Sequence, residues 1–284
     1  MPGFQIGEVF TESLRFLLKQ LRAAFILAAV PYGLLFVLTL VASSLMPQDM
    51  GTFELRPGAS YQVEGLVVVD PETGARFDLE PLLWFQLLMF ALALVVPLPF
   101  KVAWLRYSLL GPRYQPVRPV FQFGSREIRF LGYTLAIVLI MFAVAGVGTI
   151  LAGMVGAAGG GVAITVVLMF AAAVVAIWLT TRLYFVFPPL VMDLPASLGR
   201  AWTESRGQAF KLIVLTVMVL VVLALPAALI GMLLAGAPLI ATLVGTVLQI
   251  VIDAGLWTAL GFAYWKTTGI PGPQGAVVPT QVAS

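Results

Sequence analysis

The sequence predicts an all-α, polytopic membrane protein with six transmembrane helices, amphipathic helices at the cytoplasmic interface and a small external β-hairpin loop. Three observations support this fold class. The 284 residues are 61% hydrophobic and 10% charged, with a mean hydropathy of +1.03, whereas soluble domains are about 45–50% apolar and about 25% charged. Six apolar runs are long enough to cross the roughly 30 Å of a hydrocarbon core. The charges between these runs separate onto alternating sides.

The six apolar runs define the predicted domain organisation. They cover residues 23–46, 82–105, 130–153, 162–187, 212–234 and 239–265. We expect residues 1–270 to form one membrane domain, with an external loop at residues 47–81. Residues 271–284 are expected to be a disordered C-terminal tail.

The distribution of charge predicts the orientation. Residues 47–81 carry seven of the 13 acidic residues but only Arg56 and Arg76 of the 16 basic ones. The other 14 basic residues fall on the opposite side when the spans alternate. By the positive-inside rule, both termini are cytoplasmic and the acidic loop is external.

The N-terminal segment predicts an interfacial helix. Its charged residues are spaced four or three apart and form one polar stripe, which consists of Glu8, Glu12, Arg15, Lys19 and Arg22. Such a helix lies at the membrane surface with its apolar side in the acyl boundary.

The second cytoplasmic segment, residues 113–130, is rich in arginine, proline and aromatic residues. Ser125 is predicted to cap a short helix that leads into the third span. Five arginines form a basic belt here, namely Arg106, Arg113, Arg118, Arg126 and Arg129. Each cation near an anionic leaflet contributes about 1 kcal/mol. The belt is therefore predicted to anchor the interface and to contact anionic lipid headgroups, and no nucleic-acid partner is expected.

The third cytoplasmic segment contains a repeated phrase. The sequence GEVFTES at residues 7–13 returns as GRAWTES at residues 199–205, ahead of another apolar run. Ser197 is predicted to cap a helix that contains the second copy. The repeat predicts a shared plan in which a helix at the interface precedes a transmembrane hairpin.

The external loop shows a β pattern. Residues 61–70 are rich in β-branched side chains, and residues 71–74 (PETG) form a turn sequence. We expect a small hairpin or three-stranded cap, which serves either as a solvated lid or as a docking surface for a protein partner.

Small residues predict close helix packing in the third span. Gly148, Ala152 and Gly156 recur at intervals of four, a spacing that lets two helices approach closely. Gly255 and Ala259 are predicted to act in the same way in the sixth span.

The sixth span contains one acidic residue, Asp253, with Gln249 one helical turn away. A carboxylate inside a membrane is costly and marks a candidate functional site. Arg182 on the fourth span is the predicted cationic partner, and Lys101 on the second span lies at a similar depth. Three interpretations stay open. The node binds or gates a small ion, it is a polar clasp between helices, or Asp253 is neutral and hydrogen-bonded to hydroxyls.

The composition argues against an enzyme. The chain contains neither cysteine nor histidine, which removes thiolate and imidazole catalysis and most zinc, haem and iron–sulfur sites. The carboxylate pairs Asp193/Glu204 and Glu8/Glu12 have cations nearby, which favours surface charge pairing. The sequence shows no phosphate-binding loop and no nucleophile elbow. We expect no catalytic residue, no cofactor and no metal.

Residues 185–215 carry a family resemblance. The stretch resembles a bacterial family identified as the membrane domain of glycerophosphoryl diester phosphodiesterase, and also YciC-like uncharacterised inner-membrane proteins. Arg200, Trp202, Arg206 and Gly207 match the family phrase A-L-x-R-S-W-x-L-T-R-G, whereas Glu204 replaces an apolar residue. The resemblance implies a six-helix domain of the bacterial inner membrane. It does not imply hydrolysis, because the sequence shows no phosphodiesterase domain.

These observations together predict a non-catalytic integral membrane protein. We expect a scaffold, an accessory subunit or an envelope-maintenance factor that acts through its lipid-facing and basic cytoplasmic surfaces. The alternative is a transporter or channel for a small solute or lipid, with Asp253 and Arg182 at its polar centre. A membrane-embedded lipid enzyme is a third and weaker hypothesis.

Overall fold

A computed structural model describes residues 4–45, 62–64, 67–69, 76–78, 80–112, 115–118, 121–159, 161–234 and 236–269. The predicted C-terminal tail, most of the external loop and Arg113 lie outside these residues. The α-helices are α1 (Ile6–Leu45), α2 (Glu80–Val95), α3 (Leu98–Leu110), α4 (Ser125–Ala157), α5 (Gly161–Leu183), α6 (Phe187–Val191), α7 (Leu198–Glu204), α8 (Ala209–Leu233) and α9 (Pro238–Thr268).

The described residues contain six helical segments that are long and apolar enough to cross a membrane. They are Ile6–Ala42, Glu80–Leu110, Ser125–Ala157, Gly161–Val191, Ala209–Leu233 and Pro238–Thr268. Their number and places confirm the prediction of a multi-pass membrane protein, because each contains most of one predicted span. The segments also extend past the apolar runs into polar sequence.

Helix α1 shows how these extensions arise. The N-terminal polar stripe and the first span form one helix in the structure, and only Gln20 departs from helical dihedral angles, with φ −112° and ψ 15°. A local kink at Gln20 therefore stands where the sequence suggested a boundary between an interfacial helix and a span.

The start of α4 corrects one prediction. Ser125 is the first residue of the helix and Gly124 occupies the cap position. The backbone N–H of Gly124 donates to Glu127 Oε2 at 2.9 Å, so the side chain three residues along satisfies a backbone donor at the helix start. No separate short helix precedes the third span within residues 121–159, because α4 is continuous from Ser125.

The chain between α5 and α7 makes a compact reversal. A 3₁₀ turn (Tyr184–Val186) leads into α6, which has Pro188 among its first residues. Asp193 follows in a left-handed conformation with φ 61°. The Ser197 side chain then accepts a hydrogen bond from the Arg200 backbone N–H at 3.1 Å, which confirms the predicted cap of α7.

The repeated phrase occupies equivalent places in two helices. Gly7 is the second residue of α1 and Gly199 is the second residue of α7. The final serines, Ser13 and Ser205, are both buried. The predicted helix start is therefore confirmed for both copies, although α1 continues into a span whereas α7 ends at Glu204.

Helices α4 and α5 approach closely where the small residues lie. A Cβ atom added to Gly148 would lie 2.3 Å from the Cβ of Ala172, and Ala152 is buried. Since real Cβ atoms do not approach so closely, the packing requires glycine at this position, as the spacing predicted. A Cβ atom added to Gly255 would lie 2.4 Å from Cδ1 of Leu223 in α8, so a larger residue there would require the Leu223 side chain to move.

The contacts divide the chain into two compact units, 1–30 with 98–284 and 31–97. The second unit contains the later part of α1, helix α2 and three strands, β1 (Gln62–Glu64), β2 (Val67–Val69) and β3 (Arg76–Asp78). The strands pair antiparallel in the order β1-β2-β3. The side of the membrane on which they lie stays a prediction.

An aromatic cluster in the first unit fixes the elements around the site described next. Phe130 of α4 stacks on Phe187 of α6, with ring centroids 4.2 Å apart. Both rings contact Trp257 of α9, at 5.4 Å in each case. Such contacts contribute beyond the burial of area and hold the first turns of α4 beside the reversal that contains Asp193.

Candidate functional site

Three arginines of the basic belt line one cavity of about 780 Å³. Arg106 comes from α3, Arg118 from the segment 115–118, and Arg126 from the first turn of α4. The remaining lining residues are Val102, Ala103, Gln115, Pro116, Phe121, Gln122, Gly124, Ser125 and Glu127. The cavity therefore combines cations with one aromatic ring and the N-terminal end of a long helix.

Asp193 joins two of these arginines. Arg106 Nη1 donates to Asp193 Oδ2 at 2.9 Å and also to the Val191 carbonyl at 2.7 Å. Arg126 binds both carboxylate oxygens, with Nε 3.0 Å and Nη2 2.9 Å from Oδ1, and Nη2 2.8 Å from Oδ2. The bidentate contact fixes the plane of the Arg126 guanidinium group.

Partial burial of Asp193 tends to raise the pKa of its carboxyl, but the hydrogen bonds from Arg106 and Arg126 outweigh it and lower the pKa below its ordinary value. The Asp193 side chain is still 55% exposed, so solvent screens the attraction. The carboxylate thus organises the two arginines without neutralising the cavity.

The cavity keeps a positive balance. Its three arginines are offset by two carboxylates, Glu127 in the lining and Asp193, which pairs with Arg106 and Arg126, so one net positive charge is left. Arg118 is exposed, and the N-terminus of α4 adds the positive end of a helix dipole. The arrangement suits an anionic group with several acceptor oxygens, such as a phosphate.

Of the other two members of the belt, the structure describes one, and it lies apart from this cavity. Arg129 lies in a neighbouring groove of about 600 Å³, whose lining includes Tyr133 and Leu194. Arg113 lies outside the described residues. Three of the five predicted headgroup contacts therefore share one cavity.

The predicted intramembrane node is partly assembled. Gln249 Nε2 donates to Asp253 Oδ1 at 3.0 Å, as their spacing suggested. The cation within ion-pair distance is Lys101, whose Nζ lies 3.9 Å from Asp253 Oδ2. The expectation that Arg182 is the cationic partner is therefore corrected in favour of Lys101.

Arg182 has different partners. Its guanidinium lies over the ring of Trp202, 3.5 Å from the centroid, and 5.1 Å from that of Trp178. It also donates to the Trp202 carbonyl at 2.5 Å and to Ser205 Oγ at 3.2 Å. Arg182 thus ties the end of α5 to α7 through cation–π and hydrogen-bond contacts. Trp178 precedes Arg182 by four residues on the same helix, and this spacing is the sequence pattern that could have predicted the contact between them.

The positions that carry the family resemblance have structural contacts. Arg200 Nε lies 2.6 Å from Glu204 Oε1, and this hydrogen bond raises the pKa of Arg200 above its ordinary value. Gly207 has φ +77°, which favours glycine, and Arg206 is exposed. Trp202 supplies the ring over which the Arg182 guanidinium lies. These contacts join and turn helices, and they do not bring the four motif residues to one cavity.

The two carboxylate pairs considered for catalysis form ion pairs. Lys266 Nζ lies 2.7 Å from Glu8 Oε1 and 3.3 Å from Glu12 Oε1. Glu204 pairs with Arg200, and Asp193 with its two arginines. The interpretation of charge pairing is confirmed. Among the described residues, no group of three or more acidic, histidine or cysteine side chains is placed to hold a metal ion.

Comparisons with protein-family models, curated proteins and solved structures found no match. The family resemblance of residues 185–215 therefore stays a prediction from those residues.

Proposed function

We propose that this chain is a non-catalytic protein of the bacterial inner membrane that binds anionic lipid headgroups in the arginine-lined cavity and acts as a scaffold or accessory subunit. The observation that carries the proposal is the convergence of Arg106, Arg118 and Arg126 on one cavity of about 780 Å³. Residues from α3, the 115–118 segment and α4 contribute to it, so the site depends on the fold.

The energetics favour a phospholipid headgroup over a neutral one. Each arginine near an anionic leaflet contributes about 1 kcal/mol, and a guanidinium can bind two phosphate oxygens at once. Asp193 offsets part of this attraction. The result is a reversible site that prefers anionic lipids, which is suited to positioning the protein within the membrane.

The orientation that accompanies this proposal follows from charge. The cavity lies among residues assigned to the cytoplasmic side by the excess of arginine and lysine, and the acidic loop at residues 47–81 lies outside. In this arrangement, the polar stripe of α1 and helix α7 lie along the cytoplasmic interface. The external strands form a small cap. A protein partner can bind either this external cap or the cytoplasmic helices.

Extraction of the full chain in native nanodiscs, followed by mass spectrometry of lipids and proteins, tests the proposal. The variants R118Q and R126Q remove cavity cations, and R76Q removes the same charge from the predicted external loop. We expect wild type and R76Q to retain phosphatidylglycerol in preference to phosphatidylethanolamine. Each cavity variant is expected to lower that preference about fivefold, as the loss of about 1 kcal/mol requires.

Two results would overturn the proposal. Equal retention of phosphatidylglycerol by R118Q, R126Q and R76Q would remove the cavity as a lipid site. Failure of the wild type to retain either a protein partner or an enriched lipid would remove the scaffold function.

A further inference from the structure

The groove that contains Arg129 has the form of a site for an amphiphilic molecule. It has a volume of about 600 Å³ and lies between α4 and the reversal that leads into α7. Arg129 and Ala136 both line it, and seven residues of helix span about 10 Å. Among the described residues that line this groove, Arg129 is the one charged side chain, and Leu190, Leu194 and Leu198 make an apolar wall. The Arg129 groove therefore begins at a cation and continues along an apolar surface.

The packing on either side leaves space in the Arg129 groove. The Tyr133 hydroxyl donates to the Ala196 carbonyl at 2.8 Å and so ties α4 to the opposite wall. Gly132 is exposed in the α4 wall, and a Cβ atom added there would meet no neighbouring element within 4 Å. An acyl chain gains little apolar burial when it leaves a bilayer for a protein surface. The wall therefore accommodates an acyl chain, and the charges decide which lipid binds.

Two separate positive charges lie close together on α4. Arg126 lines the arginine-lined cavity and Arg129 lines the groove beside it, and residues three apart on a helix have their Cβ atoms about 5–6 Å apart. Arg129 is exposed and forms no ion pair with any residue that the structure describes. The cavity keeps one net positive charge after its pairing with Asp193, so each of the two sites suits one phosphate.

We propose that the arginine-lined cavity and the Arg129 groove together bind one lipid that carries two phosphates joined by a glycerol bridge, which is the chemistry of diphosphatidylglycerol. One phosphate contacts Arg118 and Arg126, the other contacts Arg129, and an acyl chain lies along the groove. The inference rests on the proposed function, because the arginine-lined cavity holds the first phosphate. Basic pockets between membrane helices bind headgroups of this class.

The bridge between the phosphates explains why one such lipid binds in preference to two singly charged ones. A glycerol bridge spans a distance comparable to that between helix residues three apart. Once the first phosphate is bound, the second contact is intramolecular and benefits from a high effective concentration. The preference for two linked phosphates therefore depends on both sites, whereas retention of phosphatidylglycerol depends on the cavity alone.

Native mass spectrometry of the full chain tests this, with diphosphatidylglycerol and phosphatidylglycerol competing at equal phosphate concentration. R129Q removes the cation of the groove, and G132L fills its space. G153L is the matched control, because Gly153 lies later in α4, lines neither site and also has no neighbouring element within 4 Å of an added Cβ. R76Q is the charge control in the predicted external loop.

We expect wild type, G153L and R76Q to prefer diphosphatidylglycerol. R129Q should lower that preference about fivefold, as the loss of one arginine contact requires. G132L should lower it as well, because its side chain displaces the acyl chain. Both groove variants should retain phosphatidylglycerol as the wild type does, whereas R118Q/R126Q should lose retention of both lipids.

Three outcomes would overturn the inference. In the first, R129Q and G132L keep the full preference for diphosphatidylglycerol. In the second, the wild type retains both lipids equally, which leaves the proposed lipid site standing. In the third, the wild type retains neither lipid, which overturns the proposed lipid site as well.

Discussion

Replacing Asp193 by asparagine should lower the stability of the protein and raise its affinity for anionic lipid. The substitution keeps the size of the side chain and suits the left-handed backbone at φ 61°, which asparagine also adopts readily. It removes the carboxylate that holds Arg106 and Arg126. The two effects therefore have opposite signs.

The structure sets the magnitude of each effect. Exposed ion pairs contribute about 0.2–1 kcal/mol each, and the Asp193 side chain is 55% exposed. Loss of both pairs should lower the free energy of unfolding by about 1 kcal/mol. Removing the negative charge adds one net positive charge to the cavity, which contributes about 1 kcal/mol and corresponds to roughly fivefold tighter binding.

Thermal unfolding in lipid-free detergent measures the first effect, and native mass spectrometry with added phosphatidylglycerol measures the second. The control is E8Q, which removes the same charge from the pair between Glu8 and Lys266. It is expected to change lipid affinity less than twofold. Weaker lipid binding by D193N, or an equal increase in E8Q, would refute the argument that Asp193 offsets the cavity cations.

Three further predictions concern pH, packing and topology. Because the pKa of Asp193 is lowered in the folded protein, the stability difference between wild type and D193N should be constant near neutral pH, begin to shrink as the pH falls below about 4, and disappear once the pH is below the lowered pKa; a difference that grows as the pH falls below about 4 contradicts this. G148A should lower the free energy of unfolding by about 1–3 kcal/mol through overpacking, whereas G153A, where an added Cβ would meet no neighbouring helix within 4 Å, should not lower it in the same unfolding assay. Since the chain has no cysteine, S60C should react with an impermeant maleimide on intact cells and S284C only after permeabilisation; the reverse pattern inverts the topology.

The spans could be predicted from the sequence because apolar length is a local property. Helix caps also depend on residues close in sequence, and the structure confirms Ser197 as the predicted cap of α7. The prediction for Ser125 was wrong because Glu127, three residues after Gly124, accepts from the Gly124 backbone N–H and so satisfies the helix start without a serine cap.

The partner of Asp253 could not be predicted in the same way. Gln249 is its neighbour on one helix, so its contact follows from the helical repeat. The choice between Lys101 and Arg182 depends on how the helices rotate and pack, which composition does not determine. The structure assigns Lys101 to Asp253, and the rings of Trp178 and Trp202 to Arg182.

The arginine belt shows the same limit. Arg126 and Arg129 are three residues apart, which is about 60° short of a full helical turn. That angle places Arg129 in the adjacent groove. Arg106 joins Arg126 only because the reversal after α6 brings Asp193 between α3 and α4. A basic surface was predictable, whereas its division into two grooves was not.

The most direct test of the proposed lipid site is to map where an anionic phospholipid contacts the protein. The full chain is reconstituted in nanodiscs that contain phosphatidylglycerol with a photoreactive headgroup, and the cross-linked peptides are identified by mass spectrometry. If the arginine-lined cavity binds anionic headgroups, cross-links should concentrate in residues 102–106 and 115–127 and decline in R118Q/R126Q. Cross-links that spread evenly over the lipid-facing helices, or that persist unchanged in that variant, would contradict it.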